Sequence, residues 1–231
     1  MGSTTYGGIT RAGNSGSYTY SVKSGFGDKP VNYVTFWDAA RFTNWLTSGN
    51  TEVGVYNLGG TTSPGNAAIT RDTAAWADGG VAVASENEWY KAAYYDGDTD
   101  SYWLYAHQSD SITTTDANYN GTEGTMMTDV GTYSNAGSYY GTFDQGGNVW
   151  EWNDTIVDTT DRVLRGGSFP DDDNFLQSSE RNIGDPTGEV NAIGFRVTSL
   201  APIPEPSAYA AIIGCLALAI VTVRRKGRRT L

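Results

Sequence analysis

Apolar and polar positions alternate in a way that predicts two amphipathic helices in the first hundred residues. In the segment TFWDAARFTNWL, residues 35–46, small and apolar side chains recur with helical spacing. Those positions are Phe36, Ala39, Ala40, Thr43 and Leu46. The segment opens with a threonine followed three residues later by an aspartate, which is a capping-box arrangement. Ser85 and Glu88 repeat that arrangement and predict a second helix that ends near Tyr95.

The remainder of the first 200 residues carries little helical periodicity. Residues 47–80 and 97–146 are rich in Gly, Thr, Asn and Asp, which favour turns and loops. Short, partly apolar runs predict strands at 149–152, 162–165 and 194–198. These patterns indicate a loop-rich α+β domain over residues 1–200.

An uncharged apolar run, residues 207–223, predicts a transmembrane helix near the end of the chain. Its seventeen residues meet the lower limit for crossing a bilayer core. The basic residues of 224–231 would stay in the cytoplasm by the positive-inside rule, which places the body outside. Residues 201–206 contain Pro-Glu-Pro and predict a stiff linker. The alternative, a buried core helix, is disfavoured by the basic cluster that follows.

The charge distribution excludes one class of partner. The formal net charge is −11, and five of the 15 basic residues lie within the last eight positions. Residues 1–223 therefore have ten basic residues against 26 acidic ones. An acidic body does not favour nucleic acid, which requires clustered Lys and Arg, but it is compatible with calcium.

The numbers of cysteine and histidine residues limit the possible chemistry further. Cys215 is the only cysteine and lies in the apolar run, so no disulfide forms within the chain and cysteine-based metal sites are excluded from the body. His107 is the only histidine, which excludes sites built from several histidines. Serines and aspartates near His107 invite a hydrolase interpretation, but proximity in sequence does not establish a catalytic triad.

Five segments carry a family resemblance. They are residues 30–46 (PVNYVTFWDAARFTNWL), 84–96 (ASENEWYKAAYYD), 143–152 (FDQGGNVWEW), 162–169 (RVLRGGSF) and 193–197 (IGFRV). In order and spacing they resemble a domain of the formylglycine-generating enzyme, or sulfatase-modifying factor, family. The resemblance runs from about residue 18 to 199. It implies an α+β, loop-rich fold related to C-type lectin domains, with two main helices and a small antiparallel sheet. The strands that usually open this domain are not recognisable, so the domain is expected to be N-terminally truncated.

The resemblance also implies calcium. In the family, side-chain and main-chain oxygens before the tryptophan pair hold a calcium ion, and calcium prefers several such ligands. The matching side chains are Asp144 and Glu151, and the matching carbonyls are those of Gly147 and Val149. The alternative is that Asp144 caps a plain turn and Glu151 forms a salt bridge. A second family site maps onto Asn118, the Tyr119 carbonyl and Glu123.

Family enzymes oxidise a substrate cysteine to formylglycine with copper held by two cysteines, since thiolates suit Cu(I). The corresponding positions here are Asp173 and Ser178, so copper and the oxidase activity are not expected. Arg181 aligns with a family arginine and either lines the same groove or is an ion-pair partner.

The end of the chain resembles a PEP-CTERM sorting tail, in which Pro-Glu-Pro, an apolar run and a basic cluster follow one another. This implies an exosortase-type processing enzyme as partner. The first twenty residues contain no apolar signal-peptide core, which also suggests a truncated start.

The sequence thus predicts an exported, envelope-anchored bacterial module that is non-catalytic and calcium-stabilised, and that binds an exopolysaccharide or an envelope protein. A formylglycine-generating oxidase is the alternative. Five tryptophans lie in helix or strand motifs and are expected in the core, namely Trp37, Trp45, Trp89, Trp150 and Trp152. Trp76 and Trp103 lie in predicted loops and could stack on sugars, although core packing is the favoured role for them.

Overall fold

A computed structural model describes residues 5–59, 69–121 and 126–201. Helix α1, Phe36–Ser48, begins at a capping box in which Thr35 Oγ1 accepts from Asp38 N and the Asp38 carboxylate accepts from Thr35 N. Helix α1 ends at Gly49, whose φ of 75° is left-handed. The first predicted helix is confirmed, and its capping signal marks where it begins.

Helix α2, Thr73–Ala77, lies inside the segment that was predicted as loop. Its five residues are too few to produce a periodic pattern, but Asp72 caps its first turn. Helix α3, Glu86–Tyr94, is the second predicted helix and begins at the Ser85/Glu88 capping box. Both predicted helices are therefore present, and the described residues between them contain one further short helix.

Ten short strands in the described part of the chain form four small sheets. They are β1 (Ile9–Ala12), β2 (Thr19–Val22), β3 (Val81–Val83), β4 (Tyr95–Asp96), β5 (Ser101–Tyr102), β6 (Trp150–Val157), β7 (Asp161–Arg165), β8 (Asn182–Gly184), β9 (Ile193–Phe195) and β10 (Val197–Ser199). The largest sheet has the order β8-β7-β6-β9, and the pairs β1–β2, β3–β10 and β4–β5 form the other three.

The largest sheet differs from the prediction in one respect. Strands β6, β7 and β8 are antiparallel, but β9 pairs with β6 in parallel register, Trp150 opposite Ile193. A parallel pair needs a long crossover, and the chain between β6 and β9 supplies one. The sheet is therefore mixed rather than wholly antiparallel.

The β1–β2 hairpin was not predicted, because the opening strands were expected to be missing. Both strands are exposed along their whole length. They carry no alternation of buried and exposed side chains, which is the signal by which a strand is usually recognised.

The main core lies between α1 and the largest sheet. Phe36 and Trp37 pack with Trp152 of β6, and the rings of Phe36 and Trp152 meet edge to face. Trp89 and Trp150 are also buried, as predicted. Trp45 was expected in the core but is exposed, because it lies on the opposite face of α1.

The predictions for residues 202–231, namely the linker, the transmembrane helix and the basic cytoplasmic tail, lie outside the described residues. Within the described part of the chain, no helix has both the length and the apolar character needed to cross a membrane.

Candidate functional site

The chain enters β6 through a tight loop that brings the two predicted calcium segments together. Gly147 and Asn148 both have left-handed backbone, with φ of 77° and 65°. A Cβ atom on Gly147 would lie 2.4 Å from the Asn118 carbonyl oxygen, so only glycine fits here. Asn148 N donates to that same carbonyl at 2.8 Å, and Asn118 Nδ2 lies 3.2 Å from Asn148 Oδ1. The Asn118 segment therefore packs directly on the loop before β6.

Glu151 is buried at the start of β6, and its carboxylate has charged and polar partners. Arg196 Nε lies 2.5 Å from Oε2 and Arg196 Nη2 lies 2.7 Å from Oε1. Trp89 Nε1 donates to Oε2 at 2.6 Å. A two-pronged guanidinium contact of this kind compensates a buried negative charge. This geometry matches the salt-bridge alternative for Glu151.

Asp144 lies on the other side of the same cleft. It has a left-handed φ of 57°, and its Oδ2 accepts from Gly131 N at 2.7 Å. Asp144, Val149 and Glu151 line an open cleft of about 430 Å³, together with Arg196.

Two of the predicted calcium ligands, Asp144 and Glu151, already have hydrogen-bond partners in this cleft. Calcium takes six to eight oxygen ligands. Across residues 5–59, 69–121 and 126–201, no group of three or more His, Cys, Asp or Glu residues is placed to hold a metal ion. Arg196 would first have to leave Glu151 before that carboxylate could bind calcium, and the calcium site stays a prediction. Tyr119 packs beside the buried Tyr105, Ala117 and Leu176, and Glu123 lies outside the described residues.

The two positions aligned with the family cysteines lie near one turn of 3-10 helix, Asp173–Leu176. Asp173 opens that turn and is half-buried. Ser178 follows it, donating through its backbone N to Leu104 O and accepting from Arg165 Nη1 through its carbonyl. Neither side chain supplies the sulfur ligand that Cu(I) prefers.

Arg181 is an ion-pair partner. Its Nη2 lies 3.1 Å from Glu86 Oε2, while Arg165 Nη2 lies 2.9 Å from Glu86 Oε1. Glu86 therefore joins two arginines, and the Arg181 side chain remains partly exposed.

His107 is paired with a carboxylate rather than a hydroxyl. Its Nε2 lies 4.0 Å from Asp116 Oδ2, and its ring lies beside Tyr105. Nothing in this geometry supports a serine hydrolase triad.

Sequence reasoning missed a cluster of four tyrosines, Tyr95, Tyr102, Tyr139 and Tyr140, which we call the tyrosine platform. Tyr95 and Tyr102 face each other across the β4–β5 hairpin, with ring centroids 5.4 Å apart. Tyr140 stacks on Tyr95, and Tyr139 meets Tyr140 edge to face. The Tyr95–Tyr102 spacing around a GDTD turn was the available signal. Trp76 and Trp103, the aromatics singled out from the sequence, are both partly buried instead.

Comparisons with known proteins agree with this architecture. A model of the sulfatase-modifying factor enzyme 1-like domain matches residues 5–200. Among solved structures, the crystal structure of CarF superposes with a TM-score of 0.58 and 24% identity, covering 78% of this chain and 70% of that one. Treponema denticola variable protein 1 gives 0.59 and 20%, covering 78% and 75%. PvdO from Pseudomonas aeruginosa gives 0.52 and 18%, covering 81% and 67%.

At these identities the three structures show a shared fold alone. A search of curated protein sequences found no significant match. The family model, in contrast, spans most of the chain and includes all five segments that carry the resemblance. The protein therefore belongs to the sulfatase-modifying factor enzyme 1-like domain family, the family of the formylglycine-generating enzyme.

Proposed function

We propose that this domain is a non-catalytic member of its family, exported to the cell envelope, where it binds an extracellular glycan or another envelope protein. One observation carries the proposal. The interval that holds the copper-binding cysteines in the family contains no cysteine here, and Asp173 and Ser178 stand at the aligned positions. The family match covers the fold, whereas the oxidase chemistry depends on those two thiolates.

The chemistry of the substitutions supports loss of copper. Cu(I) is a soft ion that selects thiolate or thioether sulfur, whereas a carboxylate and a hydroxyl are hard oxygen donors. The chain's one thiol, Cys215, belongs to the apolar run and cannot form a two-cysteine site by itself. Arg181, which aligns with a groove residue of the family, is paired with Glu86.

A copper titration tests this proposal without relying on an activity assay. Full-length protein in detergent micelles competes for Cu(I) with a chromophoric chelator, and a Cys215→Ser variant removes the only natural thiol. We expect neither protein to withdraw copper from the chelator. An Asp173→Cys/Ser178→Cys double variant is the matched control, in which the family ligands are restored. Stoichiometric uptake by the Cys215→Ser protein would overturn the proposal.

The location rests on the Pro-Glu-Pro, apolar and basic segments in residues 202–231. A reporter fused to residues 201–231 should fractionate with membranes. Replacing the five basic residues with glutamine should weaken the preference of the C-terminal end for the cytoplasmic side. An intact reporter that stays in the soluble fraction would contradict envelope anchoring by this tail.

A further inference from the structure

The tyrosine platform is a preorganised surface. Tyr95 Oη donates to Asp100 Oδ1 at 2.9 Å, and Tyr139 Oη lies 3.5 Å from Asp98 Oδ1. The hydrogen bond to Asp100 raises the pKa of Tyr95, and the nearby charge of Asp98 raises the pKa of Tyr139. Both hydroxyls therefore remain neutral at physiological pH. Rings that are already held in place lose little conformational entropy when a ligand binds.

The backbone beneath the platform is fixed as well. Asp96 Oδ1 accepts from Asp98 N, and Asp96 Oδ2 accepts from Thr99 Oγ1, which holds the turn between β4 and β5. The ring of Tyr139 lies against Gly97, where an added Cβ atom would come within 2.5 Å of the ring. The position of Tyr139 thus depends on the absence of a side chain at residue 97.

Three rings of the platform are exposed to solvent. Tyr102 and Tyr140 are each 50% exposed and Tyr139 is 40% exposed. A contiguous exposed aromatic patch with a polar rim is typical of a binding surface rather than of folding alone. Tyrosine suits such a surface because a large apolar ring is joined to a polar hydroxyl.

The surrounding charges and ring spacing limit the kind of ligand. Asp98 and Asp100 place carboxylates at the rim, which disfavours a polyanion. The Oδ2 atoms of both have no hydrogen-bond partner among the described residues. The stacked rings of Tyr95 and Tyr140 are 6.0 Å apart, and Lys91 Nζ already lies over the Tyr95 ring at 4.9 Å. There is therefore no open cage between these rings for an additional cation.

We propose that the tyrosine platform binds an uncharged glycan chain. The apolar C–H faces of its pyranose rings stack on Tyr102 and Tyr140, and its hydroxyl groups donate to Asp98 and Asp100. Sugar hydroxyls are donors and ionised carboxylates accept only, so the two sets are complementary. This inference rests on the proposed function, that the domain is a binding module, and it names the chemical class of the ligand and the site.

Affinity electrophoresis of the full-length protein in detergent tests the site. The native gels contain hydroxyethylcellulose, barley β-glucan, galactomannan or arabinoxylan as uncharged probes, and polygalacturonate or chitosan as charged ones. We expect retardation by at least one uncharged polymer and by neither charged polymer. Tyr102→Ala and Tyr140→Ala should each weaken the binding about tenfold, as is usual for an aromatic anchor.

Two further variants separate the platform from general effects of substitution. Tyr20→Ala removes a tyrosine that is 59% exposed on β2, outside the platform, and should leave retardation unchanged. Gly97→Ala keeps all four rings but displaces Tyr139, and it should weaken binding. Melting temperatures of all variants establish that each is folded.

Three results would overturn the inference. They are retardation by none of the uncharged polymers, retardation only by a charged polymer, and equal retardation of the wild type and the folded Tyr102→Ala and Tyr140→Ala proteins. Failure of the proposed function is distinguishable from these. An oxidase product with intact, platform-dependent glycan binding would remove the non-catalytic claim and leave the platform. If neither an oxidase product nor glycan binding is detected, the non-catalytic proposal stands and the platform inference is overturned.

Discussion

Glu151 and Arg196 form an ion pair in which Arg196 Nε lies 2.5 Å from Glu151 Oε2, although 45 residues separate them in the chain. The pair joins the start of β6 to the residue between β9 and β10. Glu151 also receives the indole N–H of Trp89 from α3. The buried Glu151 carboxylate therefore links helix α3 and strand β6 to the residue between β9 and β10.

Removing the charge of Glu151 should destabilise the fold. Glu151→Gln leaves the Arg196 guanidinium, which is mostly buried, without its counter-ion, and we expect a loss of about 3 kcal/mol in the free energy of unfolding by urea. Asp129→Asn is the matched control, because the Asp129 carboxylate is 56% exposed and its partner Lys29 keeps a hydrogen bond to Met127 O. This change should lower the free energy of unfolding by at most about 1 kcal/mol. Equal losses in the two variants would contradict a special role for the buried pair.

Calcium should not stabilise the cleft beside Glu151. Because Arg196 already compensates this carboxylate, we expect the same melting temperature in millimolar calcium and in excess chelator. A ligand that bound only the folded state would raise the melting temperature in proportion to its affinity and concentration. If calcium raises the melting temperature and Asp144→Ala abolishes that rise, the ion displaces Arg196, as the sequence-based prediction of a calcium site requires.

The close contact of Gly147 with Asn118 predicts a difference between two glycine substitutions. Gly147 and Gly25 share a φ of 77°, but a Cβ atom on Gly25 would meet nothing within 4 Å. Gly25→Ala should cost about 1 kcal/mol for its left-handed backbone. Gly147→Ala adds a clash with a backbone carbonyl. It should lower the free energy of unfolding, measured with urea, by about 2 kcal/mol more than Gly25→Ala does. Similar costs for both would show that the loop before β6 can relax.

The interactions of Glu88 predict a pH dependence. Burial opposes ionisation of Glu88, but hydrogen bonds from Arg71 and Ser85 outweigh it and lower its pKa. A lowered folded-state pKa means that the carboxylate contributes stability above its unfolded-state value of about 4.3, and that this contribution is lost as the pH falls through the folded-state pKa.

The measurement is the urea midpoint of the wild type and of Glu88→Gln from pH 7 to pH 3. At neutral pH the wild type should have a higher urea midpoint than Glu88→Gln. The difference between the two midpoints should narrow as the solution is acidified. A difference that stays constant across this range would contradict the account.

The sequence predicted the features that depend on neighbouring residues. The capping boxes at Thr35 and Ser85 are local, and both helices begin where those residues indicated. The large apolar rings of Trp37 and Trp152 were placed correctly in the core because their motifs belong to a helix and a strand of the family.

The features that depend on distant residues were not predictable in the same way. The partner of Glu151 is set by the parallel pairing of β9 with β6, and nothing near Glu151 in the sequence indicates Arg196. The tyrosine platform likewise joins a hairpin at 95–102 to a loop at 139–140, whose packing no periodic pattern records. The exposure of Trp45 shows that residue type alone does not decide which face of a helix is buried.

We propose that this domain has the fold of a formylglycine-generating enzyme without its oxidase chemistry. The most direct test incubates the full-length protein with copper, oxygen, a thiol reductant and a peptide carrying a sulfatase-type cysteine motif, and follows the mass of the peptide. A formylglycine-generating enzyme with both cysteines serves as the positive control. The account predicts that the peptide cysteine remains unconverted in the presence of this protein, and conversion to formylglycine would contradict it.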